Sequence, residues 1–164
     1  MSLEIIPTTI EDESAVRNLY QFYLYEFSVM VSFDTNYAGQ FPQEDLDGCW
    51  TDPKRRTFLV KVDGKLAGLA IVEVGIESHH TGSKGIVYMS EFFIMGAYQK
   101  KGIGEWVATH LFDQFPGRWE VSEIKQNVNA QTFWRKIIGR YTGENYREIT
   151  KENGTVVQLF GNTG

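Results

Sequence analysis

Val87-Tyr-Met-Ser-Glu91-Phe-Phe-Ile94-Met-Gly96-Ala-Tyr-Gln99-Lys-Lys-Gly102-Ile-Gly104 is the stretch on which the reading of this chain turns. From Val87 to Met95 the residues are apolar, aromatic or β-branched, with Glu91 as the one acid among them, the composition of a buried strand. Gly96 ends that run. A short loop follows with Gln99, Lys100 and Lys101, then Gly102 and Gly104, where a helical pattern begins at once. Strand, glycine-bearing basic loop and helix start together form an anion-binding device. First-turn N–H groups have no partner within a helix, the helix dipole is positive at that end, and glycine lets a ligand approach the backbone. Two lysines add charge suited to phosphate.

Working outward, Ile103, Val107, Leu111 and Phe115 mark one stripe of a helix that Pro116-Gly117 ends, and Trp119–Ile124 reads as a strand. Strand, helix and strand from Val87 to Ile124 predict a parallel pair with a right-handed crossover. A second helix is expected over Ala130–Ile138, with Phe133, Trp134 and Ile137 on its apolar side. Glu148–Thr150 and Thr155–Phe160 then flank Asn153-Gly154 as a hairpin. Upstream, Asp63-Gly64 between Thr57–Val62 and Leu66–Val74 is the clearest hairpin signal in the chain. Leu3–Ile6, closed by Pro7, reads as an edge strand. Thr8 or Thr9 ahead of Glu11, Asp12 and Glu13 caps a helix to about Ser28, with Val16, Leu19, Tyr20, Tyr23, Leu24 and Phe27 on one face. Its tyrosines read as core or rim, or as the wall of an aromatic substrate pocket. Residues 29–56 have no period beyond a short helix around Gln43–Cys49, and a long irregular stretch in a compact domain is functional or mobile.

At 164 residues, 42% hydrophobic and 14% aromatic, the chain is long and apolar enough for one packed domain spanning residues 1–164. Cys49 is the one cysteine, which excludes an internal disulfide and suits a reducing compartment. No apolar run approaches the ~20 residues of a membrane span, and the start lacks the basic region of a signal peptide, so the expected address is cytoplasmic. The net charge of −5 is unevenly spread: residues 1–53 hold ten acids and one base, residues 54–164 eleven acids and fifteen bases. An acidic first third disfavours nucleic acid as a ligand. His79-His80, without a third ligand beside them, do not make a metal site.

Gln99-Lys-Lys-Gly102-Ile-Gly104 resembles the Gln/Arg-x-x-Gly-x-Gly/Ala signature of the GCN5-related N-acetyltransferases (GNAT), and Glu91-Phe-Phe-Ile94 stands where that family has its cofactor-binding fourth strand. Asn127-Val-Asn-Ala130-Gln-Thr-Phe133-Trp134, with Gly139 just beyond, resembles the family's second signature, Asn-x-x-Ala-x-x-Leu/Phe-Tyr-x-x-x-Gly. Two motifs in the family's order carry more than either alone. The resemblance implies an α/β (α+β) fold: a mixed, mostly antiparallel seven-stranded sheet with a central parallel pair, helices on both faces, and the fourth and fifth strands splayed.

It also implies acetyl transfer from acetyl-coenzyme A, with no metal, to a primary amine. By that resemblance the cofactor's pantetheine arm lies on Phe92, Phe93 and Ile94, and its pyrophosphate on Gln99, Lys100, Lys101, Gly102, Ile103, Gly104 and Glu105. Asn127, Ala130 and Trp134 line the arm's other side. Glu91 is the expected base, since burial in an apolar strand raises a carboxyl toward neutrality; facing solvent or pairing with Lys125 are its other readings. The family's tyrosine that protonates the departing thiolate is here Trp134, whose indole N–H is a donor only. Tyr141, water or no acid at all remains for that step. The region after the first helix would shape the acceptor pocket. Asp34, Glu44, Asp45 and Asp47 then either attract a small cationic amine or simply solvate an exposed loop. Many relatives pair, so a homodimer is open.

Two other classes compete. A non-catalytic acyl-coenzyme A sensor on the same fold is favoured by Trp134 and disfavoured by Glu91. A nicotinamide-dependent dehydrogenase built on Gly102-Ile-Gly104 fails, because Val107 stands at the third glycine position.

Overall fold

The computed structural model describes residues 1–162. The element order is β1 (Leu3–Pro7), α1 (Glu13–Met30), β2 (Arg55–Val62), β3 (Lys65–Ile76), β4 (Ile86–Ile94), α2 (Ile103–Gln114), β5 (Gly117–Glu123), α3 (Val128–Thr142), β6 (Arg147–Thr150) and β7 (Val156–Asn162), with short 3₁₀ turns at Ile10–Asp12, Glu44–Leu46 and Gly96–Tyr98. The seven strands form one sheet in the order β1-β2-β3-β4-β5-β7-β6. β1, β6 and β7 pair antiparallel with their neighbours, and β4 with β5 is the parallel pair. The mixed sheet and its parallel pair agree with the sequence expectation. Contacts gather into two compact units: residues 1–71 with 91–103, and residues 72–90 with 104–164.

In the first unit, Thr9 starts the helical region as a capping box. Its hydroxyl accepts from the Glu11 N–H, and Asp12 returns a bond to the Thr9 N–H at 2.9 Å. α1 then lays Val16, Leu19 and Tyr20 against Leu46, Cys49, Leu59, Leu69, Ile71 and Phe93, all buried. Full burial of one such aliphatic side chain contributes about 1.5–3 kcal/mol. Asp63 and Gly64 both have positive φ (49° and 75°), the requirement of the two-residue turn predicted between β2 and β3. Gly68 is needed for another reason: a Cβ there would stand 2.1 Å from the Phe93 carbonyl oxygen, so β3 passes β4 where no side chain fits.

In the second unit, Trp119 of β5 and Phe160 of β7 are register partners and stack at 6.2 Å, with Phe112 of α2 edge-on to both at 4.9 Å. Trp134 and Tyr141 of α3 add rings against Phe112 at 6.3 and 5.1 Å. α3 runs four residues beyond the predicted Ile138. Thr142 bonds back to the Ile138 carbonyl, and only Gly143, at φ 61°, turns the chain. The registered β4–β5 pairs are Val87 with Trp119 and Tyr88 with Glu120, clasped by a 2.6 Å bond between the Tyr88 hydroxyl and Ser122 Oγ. β5 continues to Glu123 paired with β7.

Candidate functional site

Glu91 leaves the regular alternation of β4, where Ser90, Glu91 and Phe92 are all half-buried in succession. Its carboxyl lies in the first unit among groups from three segments. Tyr20 and Tyr23 come from α1, Asp45 from the Glu44–Leu46 turn and Arg55 from the start of β2. Burial is the largest influence and pushes the Glu91 pKa up, with the Asp45 charge acting in the same direction. The Tyr23 and Tyr20 hydroxyls and the Arg55 guanidinium act against it, and the result is about 7. Tyr20, 1% exposed, places its hydroxyl 3.4 Å from Asp45 Oδ2 and 3.5 Å from Glu91 Oε1. Burial and the two carboxylates raise the phenol's pKa far above its ordinary value, so it stays a neutral donor. Arg55 Nη1 donates to the Asp45 main-chain carbonyl at 2.7 Å, which fixes the acidic turn beside β2. A group that must accept a proton from an ammonium near neutral pH needs this kind of environment: raised proton affinity, partial access and phenolic donors for its charged form.

The basic loop follows along the same strand. Met95 N–H donates to the Ala67 carbonyl, and the Gln99 amide Nε2 donates back to the Ile94 carbonyl at 2.7 Å, tying the loop to the strand it leaves. Lys100 and Gly102 both adopt left-handed backbone (φ 59° and 79°), separated by Lys101, and α2 begins at buried Ile103. Backbone turned this way aims successive N–H groups into a concavity suited to anions. A Cβ on Gly102 would meet nothing within 4 Å, but its φ admits few residues other than glycine. Lys100 and Lys101 are exposed and enter no ion pair among the described residues. Phosphate chemistry fits this loop: unspent cations, turned backbone and a helix start. Phe92 is half-buried, while Phe93 and Ile94 are buried.

The remaining expected residues belong to the second unit. Gly104 and Glu105 open α2, and Glu105 pairs with Arg140 at 2.9 Å. Asn127 caps α3, its side-chain oxygen accepting from the Ala130 N–H at 3.2 Å. The Asn-x-x-Ala spacing therefore also has a local structural reason. Trp134 is 5% exposed, edge-on to Phe133 and packed on Phe112. Tyr141 donates to Asp113 Oδ1 at 2.6 Å. His80 bonds the Tyr88 hydroxyl through Nε2 at 3.2 Å and meets Lys151 at Nδ1. Among the described residues no group of three or more His, Cys, Asp or Glu could hold a metal.

Sequence reasoning did not assign the two tyrosines or Arg55 to Glu91, nor did it notice the two buried acids of β5, Glu120 and Glu123. Glu123 shares a face of β5 with Trp119 and Val121, and the two-residue spacing was the available signal. Glu123 accepts from Gln158 Nε2 at 2.8 Å, and burial, aided by the Glu148 charge, pushes its pKa up to about 8.

A family model described as the acetyltransferase (GNAT) family matches residues 15–139. No curated protein sequence matches the chain. Among solved structures, an acetyltransferase from Thermus thermophilus is 17% identical with a TM-score of 0.69, covering 98% of this chain and 97% of that one. An aminoglycoside acetyltransferase from an uncultured soil metagenomic sample, in complex with sisomicin, is 21% identical with a TM-score of 0.58, over 82% and 86%. AAC(6′)-Iy, in complex with the bisubstrate analogue CoA-S-monomethyl-acetylneamine, is 12% identical with a TM-score of 0.59, over 84% and 90%. At these identities the structural likeness speaks for the fold. With the family model spanning most of its length, the glycine loop and the α3 cap inside the matched region, and the sheet described above, the chain belongs to the acetyltransferase (GNAT) family.

Proposed function

We propose that this protein moves an acetyl group from acetyl-coenzyme A directly to the primary amine of a small cationic molecule, with Glu91 as the base. The carrier, when bound, supplies the acyl group as a thioester. Gln99, Lys100, Lys101, Gly102, Ile103, Gly104 and Glu105 are the residues assigned to its phosphates. Phe92, Phe93 and Ile94 are assigned to its arm, with Asn127, Ala130 and Trp134. What supports the phosphate assignment is the left-handed backbone at Lys100 and Gly102, with Lys100 and Lys101 in no ion pair among the described residues.

The observation that carries the reading is Glu91 itself. An alkylamine is mostly protonated at neutral pH and cannot attack a carbonyl until it loses a proton. A carboxyl at about 7 is poised to take that proton and release it again. Asp45, exposed beside Glu91, and exposed Glu44 and Asp47 give the same unit a cation-attracting rim. The structural likeness to an aminoglycoside acetyltransferase is in keeping with such an acceptor. For the departing thiolate, Tyr141 is the candidate acid among the chain's tyrosines, and a thiol of ordinary acidity near 8.5 leaves without strict need of an acid. One buried cysteine suits a reducing, cytoplasmic setting.

Calorimetric binding of coenzyme A, together with thiol release over a panel of polyamines, aminoglycosides and amino acids, tests the proposal. Binding with turnover on at least one small polyamine or aminoglycoside is the expected result. Binding without turnover on any amine would favour the sensor reading, which Trp134 at the usual tyrosine position supports. Failure to bind removes the carrier altogether.

A further inference from the structure

Tyr20 carries a single hydroxyl hydrogen, yet it lies within reach of two carboxylates, Asp45 at 3.4 Å and Glu91 at 3.5 Å. Both separations are longer than the roughly 2.5–3.0 Å of a tight O–H···O bond, and catalytic hydrogen bonds that are long in the free protein commonly tighten when a ligand excludes water. The phenol is 1% exposed and packed among α1 and β-strand side chains, so it cannot turn away from both acids. We propose that Tyr20 is a positioning residue for Glu91: a one-hydrogen switch that joins exposed Asp45 to the proton uptake of the base. The inference rests on the Glu91 reading above and adds to it a mechanism for setting when that carboxyl titrates.

The switch follows from counting donors. When Glu91 is charged both carboxylates can only accept, and the Tyr20 hydrogen is best placed on Glu91, which is half-buried, whereas exposed Asp45 has water to bond. When Glu91 has taken the amine's proton, its new O–H can donate to the Tyr20 oxygen, and the Tyr20 hydrogen turns to Asp45. Both states are then fully bonded: Tyr20→Glu91 in the first, Glu91→Tyr20→Asp45 in the second. No heavy atom has to move far, and the proton balance is complete within three side chains. Asp45 therefore does two things to Glu91. Its charge disfavours a second charge nearby, and it competes for the hydrogen that would stabilise that second charge. Tyr23 and Arg55 also face Glu91 and favour its charged form, so the coupling acts on top of a fixed background.

The two partners must then shift Glu91 in opposite directions. Tyr20→Phe keeps the ring in the core and removes the hydrogen, so Glu91 should titrate about half a unit to one unit higher. Asp45→Asn removes the competing charge from an exposed position, and Glu91 should titrate lower by a similar amount. Carboxyl ¹³C NMR titration of the free protein reads this without cofactor or acceptor, with Glu91→Gln identifying the signal and thermal melting checking that each variant is folded. The acid limb of the kcat/KM profile for the best amine of the panel is recorded in parallel. Opposite NMR shifts followed by the kinetic limb are the expected result. Same-sign shifts, or none, overturn the switch while leaving Glu91 free to be the base. Opposite NMR shifts with an unmoved kinetic limb overturn Glu91 as the base and the positioning role of Tyr20 with it.

Discussion

Glu91 and Glu123 are both acids in strands, and burial pushes both toward neutrality, to about 7 and about 8. Their surroundings differ in kind. Glu91 is half-buried, faces two phenols, an exposed aspartate and an arginine, and has hydroxyl hydrogens for its charged form. Glu123 is 5% exposed and held by the amide of Gln158, itself fully buried; its Oε2 and the Gln158 Oε1 have no partner among the described residues. Gln158 also donates to Glu148, which Arg135 grips through two bonds of 2.8 and 3.0 Å. A raised proton affinity is therefore no mark of catalysis on its own. What separates the two is access and the supply of donors: one acid can exchange its proton with an incoming group, whereas the other keeps it as part of a core.

The sharpest way to break this contrast is Glu91→Gln. Turnover should fall roughly 10²–10³-fold near pH 8, and the break near 7 should vanish from the kcat/KM profile. In the native protein the rate should fall below that break, where Glu91 as the proposed base would already hold a proton. An unaltered profile would put Glu91 in the same structural class as Glu123.

Glu123→Gln should do the converse, leaving turnover within about threefold but changing the pH dependence of stability. The folded chain keeps the Glu123 proton up to about 8, whereas the unfolded chain loses it near the ordinary glutamate value. Between those limits the folded state binds the extra proton, so stability falls as pH rises, and the full loss is present above about 8. The amide carries no charge to bury, so the Glu123 share of that fall in the urea midpoint should be absent from the variant, while the share that Glu91 contributes up to about 7 remains. The variant should exceed the native protein by a few kcal/mol at about pH 9 and match it within ~1 kcal/mol at about pH 5.

Smaller effects sharpen the picture. Arg135→Ala removes the exposed grip on Glu148 and should cost no more than about 1 kcal/mol in urea unfolding. A much larger loss would mean that the Glu123–Gln158–Glu148 chain depends on its outermost charge. Tyr141→Phe tests proton return to the thiolate. Because that hydroxyl already donates to Asp113, turnover should fall less than about threefold, with little change in stability, by steady-state kinetics and melting.

Local chemistry was easy to read from the chain and remote pairing was not. Asp63-Gly64 declares its turn because positive φ at both positions suits few residues, and Thr9 with Asp12 announces a cap three residues away. The run from Val87 to Gly104 held strand, loop and helix start in one short segment. Glu91 stood out as an acid among aromatics, yet its partners lie 71 residues away at Tyr20, 46 at Asp45 and 36 at Arg55 in sequence, and no periodicity links them. Residues 29–56 gave no period beyond a short helix around Gln43–Cys49, because much of their order comes from side chains gripping backbone: Gln21 to Phe41, Asn36 to Ala38 and Gln40, and Arg55 to Asp45. Glu123 was hidden by its type, since a glutamate in an alternating strand normally marks the solvent face.

Cys49, buried at 4% exposure in the α1 core and the one thiol in the sequence, has a consequence at the bench. Colorimetric thiol reagents, the common way to count released coenzyme A, should meet almost no background from the native protein. The same reagents should label one equivalent only as the first unit opens. A single assay mixture would then report product when the protein is folded and local opening when it is not.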